Sequence, residues 1–322
     1  MTQTIYTFSP ALSTELDALE GLLSKEFPGG GFLKAASSSL VLGSGKRLRP
    51  ALVIAAAHMG SYRRESALPL AAAIEVLHTA TLAHDDVIDE AATRRGRPTL
   101  HAAHGNHLAI YTGDYLLARS LSLVAKSGLP ATDMARIAHA MEQLCAGEVA
   151  QYTGRNRVPG PREYLKRIMG KTGVLFAAAC AVGGRIGGLP ESDVDRLWRV
   201  GMRLGTAFQI RDDLLDVTQS AGKAGKPTVR DLLDGIVTLP VLLAAANADY
   251  RAALEAFLGG EHNQGTAAAL LDAAYSSGAM QSSRQILQQQ LMRCRDTLER
   301  FPQSPGRDML QRIAALIGET DA

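Results

Sequence analysis

The sequence predicts an all-α protein, one large helical bundle over residues 1–322 around a central apolar cavity. Three observations carry that reading. Hydrophobic residues are 46% of the chain and aromatics only 5%, so the core must be built from Ala, Leu, Val and Ile, and Ala- and Leu-rich runs favour helix. No stretch alternates convincingly between apolar and polar residues with the period of two that a half-buried strand shows. Long apolar runs are separated by short Gly/Pro turns with no linker between them, the pattern of a single bundle.

Residues 11–27 place Leu12, Leu16, Leu19, Leu22 and Leu23 at helical spacing, with Ser13 as a cap. Pro28-Gly29-Gly30-Gly31 breaks the chain, and a second helix over 32–43 ends at Gly43-Ser44-Gly45. Lys46-Arg47-Leu48-Arg49-Pro50 then puts three cations at the start of an apolar helix, 51–59. Cations on a helix start that follows glycines make an anion site, although an exposed basic turn reads the same way in isolation. Helix 67–89 is the longest apolar stretch, and the basic loop Arg94-Arg95-Gly96-Arg97-Pro98 follows it. Further helices are expected over 106–126, 132–153, 162–187 and 191–217, then a Gly/Lys stretch over 222–227. Four more fill 236–319, broken at Gly259-Gly260, Gly278 and Pro302 to Pro305.

The chemistry sits at the ends of two of these helices. Asp85, Asp86 and Asp89 close the helix 67–89, and Asp212, Asp213 and Asp216 repeat the same spacing at the end of 191–217. Acids four apart lie one above the other on a helix, and the middle one lies about 100° round the axis. Three carboxylates so close repel one another unless a cation lies between them. Oxygen-only ligands suit a hard ion that shares its shell with water and phosphate, which favours Mg²⁺. Facing each other across an apolar interior, two such walls would take a diphosphate with a greasy tail. Lys171, Lys226 and Arg94 would add positive charge around it, and the basic stretch at 45–49 with Arg95 would hold a second anionic substrate that lacks metals of its own. That is electrophilic alkylation with diphosphate as the leaving group.

Composition narrows the setting. A net charge of +2 and a pI of about 8.4 are too balanced to argue for nucleic acid. Three scattered cysteines give no disulfide framework or metal spacing and favour a reducing, cytoplasmic location. Met1 to Leu12 lacks a secretory pattern, and no window holds eighteen uninterrupted apolar residues, so no membrane span is expected and contact with a membrane would be peripheral at most.

Several stretches together resemble the all-trans polyprenyl diphosphate synthase family: the two DDxxD motifs, Gly45-Lys46-Arg47-Leu48-Arg49-Pro50, Arg94-Arg95-Gly96, Lys171-Thr172, Phe208-Gln209 and Gly225-Lys226-Pro227. They occur in order between about residue 30 and residue 245. The resemblance implies an isoprenoid-synthase bundle using two or three Mg²⁺ ions. Asp85, Asp89 and Asp212 would bind metal, with Asp86, Asp213 and Asp216 completing the acidic faces. By the same resemblance Lys46, Arg49, His78 and Arg95 would hold isopentenyl diphosphate, while Arg94, Lys171, Thr172, Gln209 and Lys226 would hold the allylic diphosphate. By itself His78 reads as a core histidine; the motif company makes it a ligand. One departure is Ile236, where the family usually has a Lys; either that cation is missing or Lys223 supplies it. The C-terminal stretch, Gly318 to Ala322, lacks the basic residues often seen there.

Thr81 and Ala80 lie four and five residues before Asp85, with Val76 and Ala73 further down the same helix. A helical turn of about 5.4 Å matches an isoprene unit, so the helix can act as a ruler. Short-chain members resemble this sequence but carry an aromatic there. Small residues leave the tunnel open, which predicts products of about six to ten isoprene units, for quinone side chains. A farnesyl or geranyl starter is expected. A homodimer through the helix around Gly113-Asp114-Tyr115 is a family expectation. The text around Tyr164 to Thr172 and the N-terminus also look like the large subunit of two-component heptaprenyl diphosphate synthases, which makes an unlike small subunit the alternative. A class I terpene cyclase would have no use for the cations at 46–49, and a non-enzymatic partner subunit would be free to lose its acids.

Overall fold

A computed structural model describes residues 10–43, 45–94, 96–221, 229–260 and 262–319. They are almost entirely helical: α1 (Pro10–Glu26), α2 (Gly31–Val41), α3 (Leu48–Ala57) and α4 (Arg64–Ile88) lead to a two-stranded ribbon, β1 (Thr93–Arg94) against β2 (Arg97–Pro98). Then follow α5 (Leu100–His104), α6 (Asn106–Ser127), α7 (Ala131–Thr153) and α8 (Pro161–Ile168). A π-helical segment (Met169–Gly173) leads into α9 (Val174–Ile186) and α10 (Glu191–Ala221). The chain closes with α11 (Arg230–Leu233), α12 (Leu239–Ala244), α13 (Ala248–Leu258), α14 (Gln264–Ser276), α15 (Ala279–Leu298) and α16 (Pro305–Gly318).

Two compact units share these residues, and neither is a continuous stretch. The first takes residues up to 136 with 179–198 and 302–313; the second takes 137–178, 199–301 and 314 onward. Within the first unit α4 is the core helix, buried from Ala67 through Leu77 save for Pro69 and again at Thr79, Ala80, Ala83 and Asp86. By length and composition alone α4 could cross a membrane, but 72% of its most apolar window is buried in protein, the mark of a core helix. Its main partner is α6. The contact is close because a Cβ at Gly113 would overlap the His84 ring, and Ser120 donates to the Ala73 carbonyl at 2.9 Å. In the second unit the apolar centre is Phe176, Ala177 and Ala178 with Leu204, Ala207 and Ile210 of α10.

Several boundaries differ from the sequence reading. The first helix begins at Pro10, so Ser13 lies inside it and caps nothing. Helix α3 starts at Leu48 rather than 51, because Arg47 takes a left-handed conformation (φ 47°) and turns the chain there. The expected helix 162–187 is divided by the π segment. The expected first helix of the stretch 236–319 is two, α12 and α13, since Asn247 accepts from the Tyr250 N–H and caps a new start. The ribbon was not foreseen, being two residues a side and too short for periodicity to register.

Candidate active site

The first acid triplet ends α4. Asp89 is the C-cap, its N–H bonded to the Asp85 carbonyl, and its side chain is exposed; Asp85 is half-buried. Asp86 turns inward, 4% exposed, and accepts from Arg94 Nε of the ribbon at 2.7 Å. These two residues sit on the wall of a cavity of about 130 Å³ within the first unit, together with Arg47, Glu75, His78 and Arg97. His78 is therefore on a cavity wall rather than in solid core.

Of the cations at 46–49, Arg47 serves the fold. It is 4% exposed and donates from Nε to Glu20 at 2.6 Å, from Nη1 to Glu75 at 2.8 Å and from Nη2 to the Val41 carbonyl at 2.8 Å. Burial works against its charge, and the two glutamates more than offset that, so its pKa is raised. Lys46 and Arg49, on either side, are half-buried. Arg95 and Lys226, both expected to bind diphosphate, lie outside the described residues, as do Lys223, the rest of the Gly/Lys stretch and residues 320–322.

The second triplet lies on α10. Asp213 is 4% exposed and accepts three hydrogen bonds, from Tyr164 Oη at 2.7 Å, Leu239 N at 3.0 Å and Gln209 Nε2 at 3.1 Å. Burial still holds its pKa above the usual carboxylate range. Asp216 is pushed up to about 8 by burial and then by Asp231, Asp213 and Asp212. Asp231, on α11, is raised to about 6 by burial and Asp213, against the pull of Lys171. Asp231 is thus a member of this wall that the sequence reading did not find. Its only signal was an acid just beyond the Gly/Lys stretch, with no periodic helix around it to fix its direction.

Lys171 and Thr172 both come from the π segment, a device often found at functional sites. Lys171 Nζ pairs with Glu148 at 3.1 Å, and Thr172 Oγ1 donates to Gln209 Oε1 at 2.7 Å. Gln209 in turn reaches Asp213, so a hydrogen-bonded line runs from the π segment to the acid wall and on to Tyr164. Ile236, in place of the Lys, is buried, and its N–H closes onto the Asp231 carbonyl at 2.7 Å.

Of the ruler residues, Ala73, Val76 and Ala80 are fully buried and Thr81 is half-buried. Ala80 lies one turn before His84, on the face turned to α6. None of the four lines the cavity by His78.

Among the described residues, no three His, Cys, Asp or Glu side chains converge into a ready coordination shell. Asp86 and Asp213 are taken by hydrogen-bond donors, and the remaining acids repel one another. The donor set nonetheless fits a hard divalent ion: it is all carboxylate oxygen, and burial with three neighbouring acids raises the Asp216 pKa, a crowding that such an ion would relieve.

A largely helical structure with two acid triplets, each with cations near it, defines a class of enzyme that handles diphosphates with a divalent metal. The chain belongs to the polyprenyl synthetase family, a family of prenyltransferases that use a divalent metal; the family model matches residues 31–276. It is 39% identical over 319 residues to heptaprenyl diphosphate synthase component 2 of Geobacillus stearothermophilus, covering 98% of each protein. Among solved structures it resembles a decaprenyl diphosphate synthase from Rhodobacter capsulatus, with a TM-score of 0.89, 35% identity and 96% and 97% of the two chains covered. It also resembles a polyprenyl synthase from Caulobacter crescentus complexed with calcium and isoprenyl diphosphate, with a TM-score of 0.90, 28% identity and 100% and 98% covered.

Proposed function

We propose that this chain is a long-chain trans-polyprenyl diphosphate synthase, adding isopentenyl diphosphate head to tail onto a farnesyl or geranyl starter with Mg²⁺. The observation that carries the proposal is the crowded acid wall of Asp212, Asp213, Asp216 and Asp231 beside Lys171 and Thr172, a charge arrangement that asks for cations and a polyanion together. The products named for its relatives, heptaprenyl and decaprenyl diphosphates, support a product of about six to ten units on the helix ruler.

In this reading Asp85, Asp89 and Asp212 would hold the ions, and bound Mg²⁺ would supply neutralisation of the charge that builds on the departing diphosphate. Arg94, Lys171, Thr172, Gln209 and Lys226 grip the allylic diphosphate; Lys46, Arg49, His78 and Arg95 hold isopentenyl diphosphate. The allylic C1–O bond breaks with its electron pair going to diphosphate. The isopentenyl double bond supplies the electrons of the new C–C bond, and a proton leaves from the adjacent carbon. Apolar walls of Ala, Val and Leu keep water from the cationic centre. Asp86 and Asp213 orient their neighbours, Asp86 by holding Arg94 and Asp213 by fixing Gln209.

One feature supports a homodimer or a pair with an unlike small subunit. Helix α6 exposes Leu108, Ile110, Tyr111 and Leu121, apolar surface of the kind an interface covers. Gly113 itself faces inward onto His84, and the exposed Tyr111 and Asp114 beside it are the part of that stretch open to a partner. The relative called component 2 favours an unlike partner as the second reading. We place the enzyme in the cytoplasm, where its free thiols Cys145, Cys180 and Cys294 stay reduced. The test is the purified chain with isopentenyl diphosphate, farnesyl diphosphate and Mg²⁺, read by product mass. Long products from the lone chain support self-sufficiency. No product until an unlike subunit is added supports the second reading, and no product with either refutes the assignment.

A further inference from the structure

We propose that Glu148 is a positioning residue that holds the Lys171 ammonium off the acid wall, keeping those carboxylates open to a divalent cation. The inference rests on the metal-dependent reading above and adds a residue to it.

Gly147 lets α7 approach the π segment closely, since a Cβ there would stand 2.6 Å from Lys171 N and 2.9 Å from the Gly170 carbonyl carbon. That approach brings the next residue, Glu148, within 3.1 Å of Lys171 Nζ. The ammonium has a second attraction: the next residue, Thr172, bonds Gln209 at 2.7 Å and Gln209 bonds Asp213 at 3.1 Å, which ties the segment carrying Lys171 to the acid wall, and the charge of Lys171 acts on Asp231 of that wall. An ammonium is a compact charge on a flexible stem. Left without Glu148, it would settle among those aspartates, neutralise them and occupy the place of the cation. Glu148 supplies a competing carboxylate outside the crowd. Because the pair is part-exposed, with the two side chains 31% and 26% accessible, the hold is weak enough for Lys171 to turn to an arriving diphosphate.

The test is calorimetric titration of the full chain with Mg²⁺ alone, which needs no turnover and so reads separately from the synthase assay. Glu148→Gln, close in shape, should weaken Mg²⁺ binding about three- to ten-fold. Glu148→Asp, which keeps the charge, should bind as the native chain does. Adding Lys171→Met to Glu148→Gln should restore binding to the native level or better, because the competing ammonium is gone. In steady-state assays Glu148→Gln should raise KM for the allylic diphosphate and leave KM for isopentenyl diphosphate unchanged. Four results would overturn the proposal: no Mg²⁺ binding by the native chain, unchanged binding in Glu148→Gln, no recovery in the double variant, or equal loss for both substrates with a lowered melting temperature, which marks a merely structural role.

Discussion

Metal uptake by the second acid wall should be coupled to proton release, and the number of protons follows from the structure. At pH 7 an acid with a pKa of about 8 is protonated about nine times in ten, and one of about 6 about one time in ten, so cation binding should release about one proton, chiefly from Asp216. At pH 6 half of Asp231 is protonated as well and the count rises to about 1.5; at pH 9 it falls to about 0.1. The slope of log affinity against pH should change in the same way. For folding the sign is the reverse of an ion-paired carboxylate. Below the ordinary value of 3.8 Asp216 is protonated folded or unfolded, and its contribution is intact. Between 3.8 and about 8 the unfolded chain ionises and the folded chain does not, so stability is lost as pH rises. A bound cation reverses that loss, so the rise in melting temperature with Mg²⁺ should be larger at pH 8 than at pH 6. The assay is calorimetry in buffers of different ionisation enthalpy, comparing the native chain with Asp216→Asn. The variant should lose about one released proton at pH 7. Equal counts for the two proteins would refute the reasoning.

Other consequences follow from particular contacts. Arg47→Ala leaves Glu75 buried without its cation and should cost about 3–5 kcal/mol in urea unfolding; Glu75→Gln should cost less, since Arg47 keeps Glu20. Tyr164→Phe removes one of three donors to buried Asp213 and should cost about 1–3 kcal/mol by the same measurement, whereas no change would mean the phenol contributes nothing. Thr81→Phe should shorten the product ladder on chromatography, and an unchanged ladder would remove the ruler. Ala80→Phe should likewise shorten the product by several units without abolishing turnover and, at 0% exposure, should also cost about 1–3 kcal/mol by overpacking. Asp85→Ala should lower turnover by orders of magnitude in steady-state assays, and turnover near the native rate would remove Asp85 from the metal-binding set.

The helices, and the two acid triplets on α4 and α10, were legible in the sequence because both are local, although α10 runs on to Ala221 and the second triplet lies inside it rather than at its end. Apolar spacing sets a helix, Gly and Pro stop it, and the i, i+1, i+4 pattern fixes which acids share a face whatever the rest of the chain does. Which side chain meets which was not legible. That Arg47 turns inward depends on Glu20 and Glu75, 27 and 28 residues away. That Asp231 joins the second wall, that His84 packs on Gly113 of α6, and that a π turn presents Lys171 to Glu148 all depend on backbones brought close by packing. Short-range periodicity encodes direction about one helix axis only. Distances between axes are fixed by the whole core, and there the tertiary structure decided.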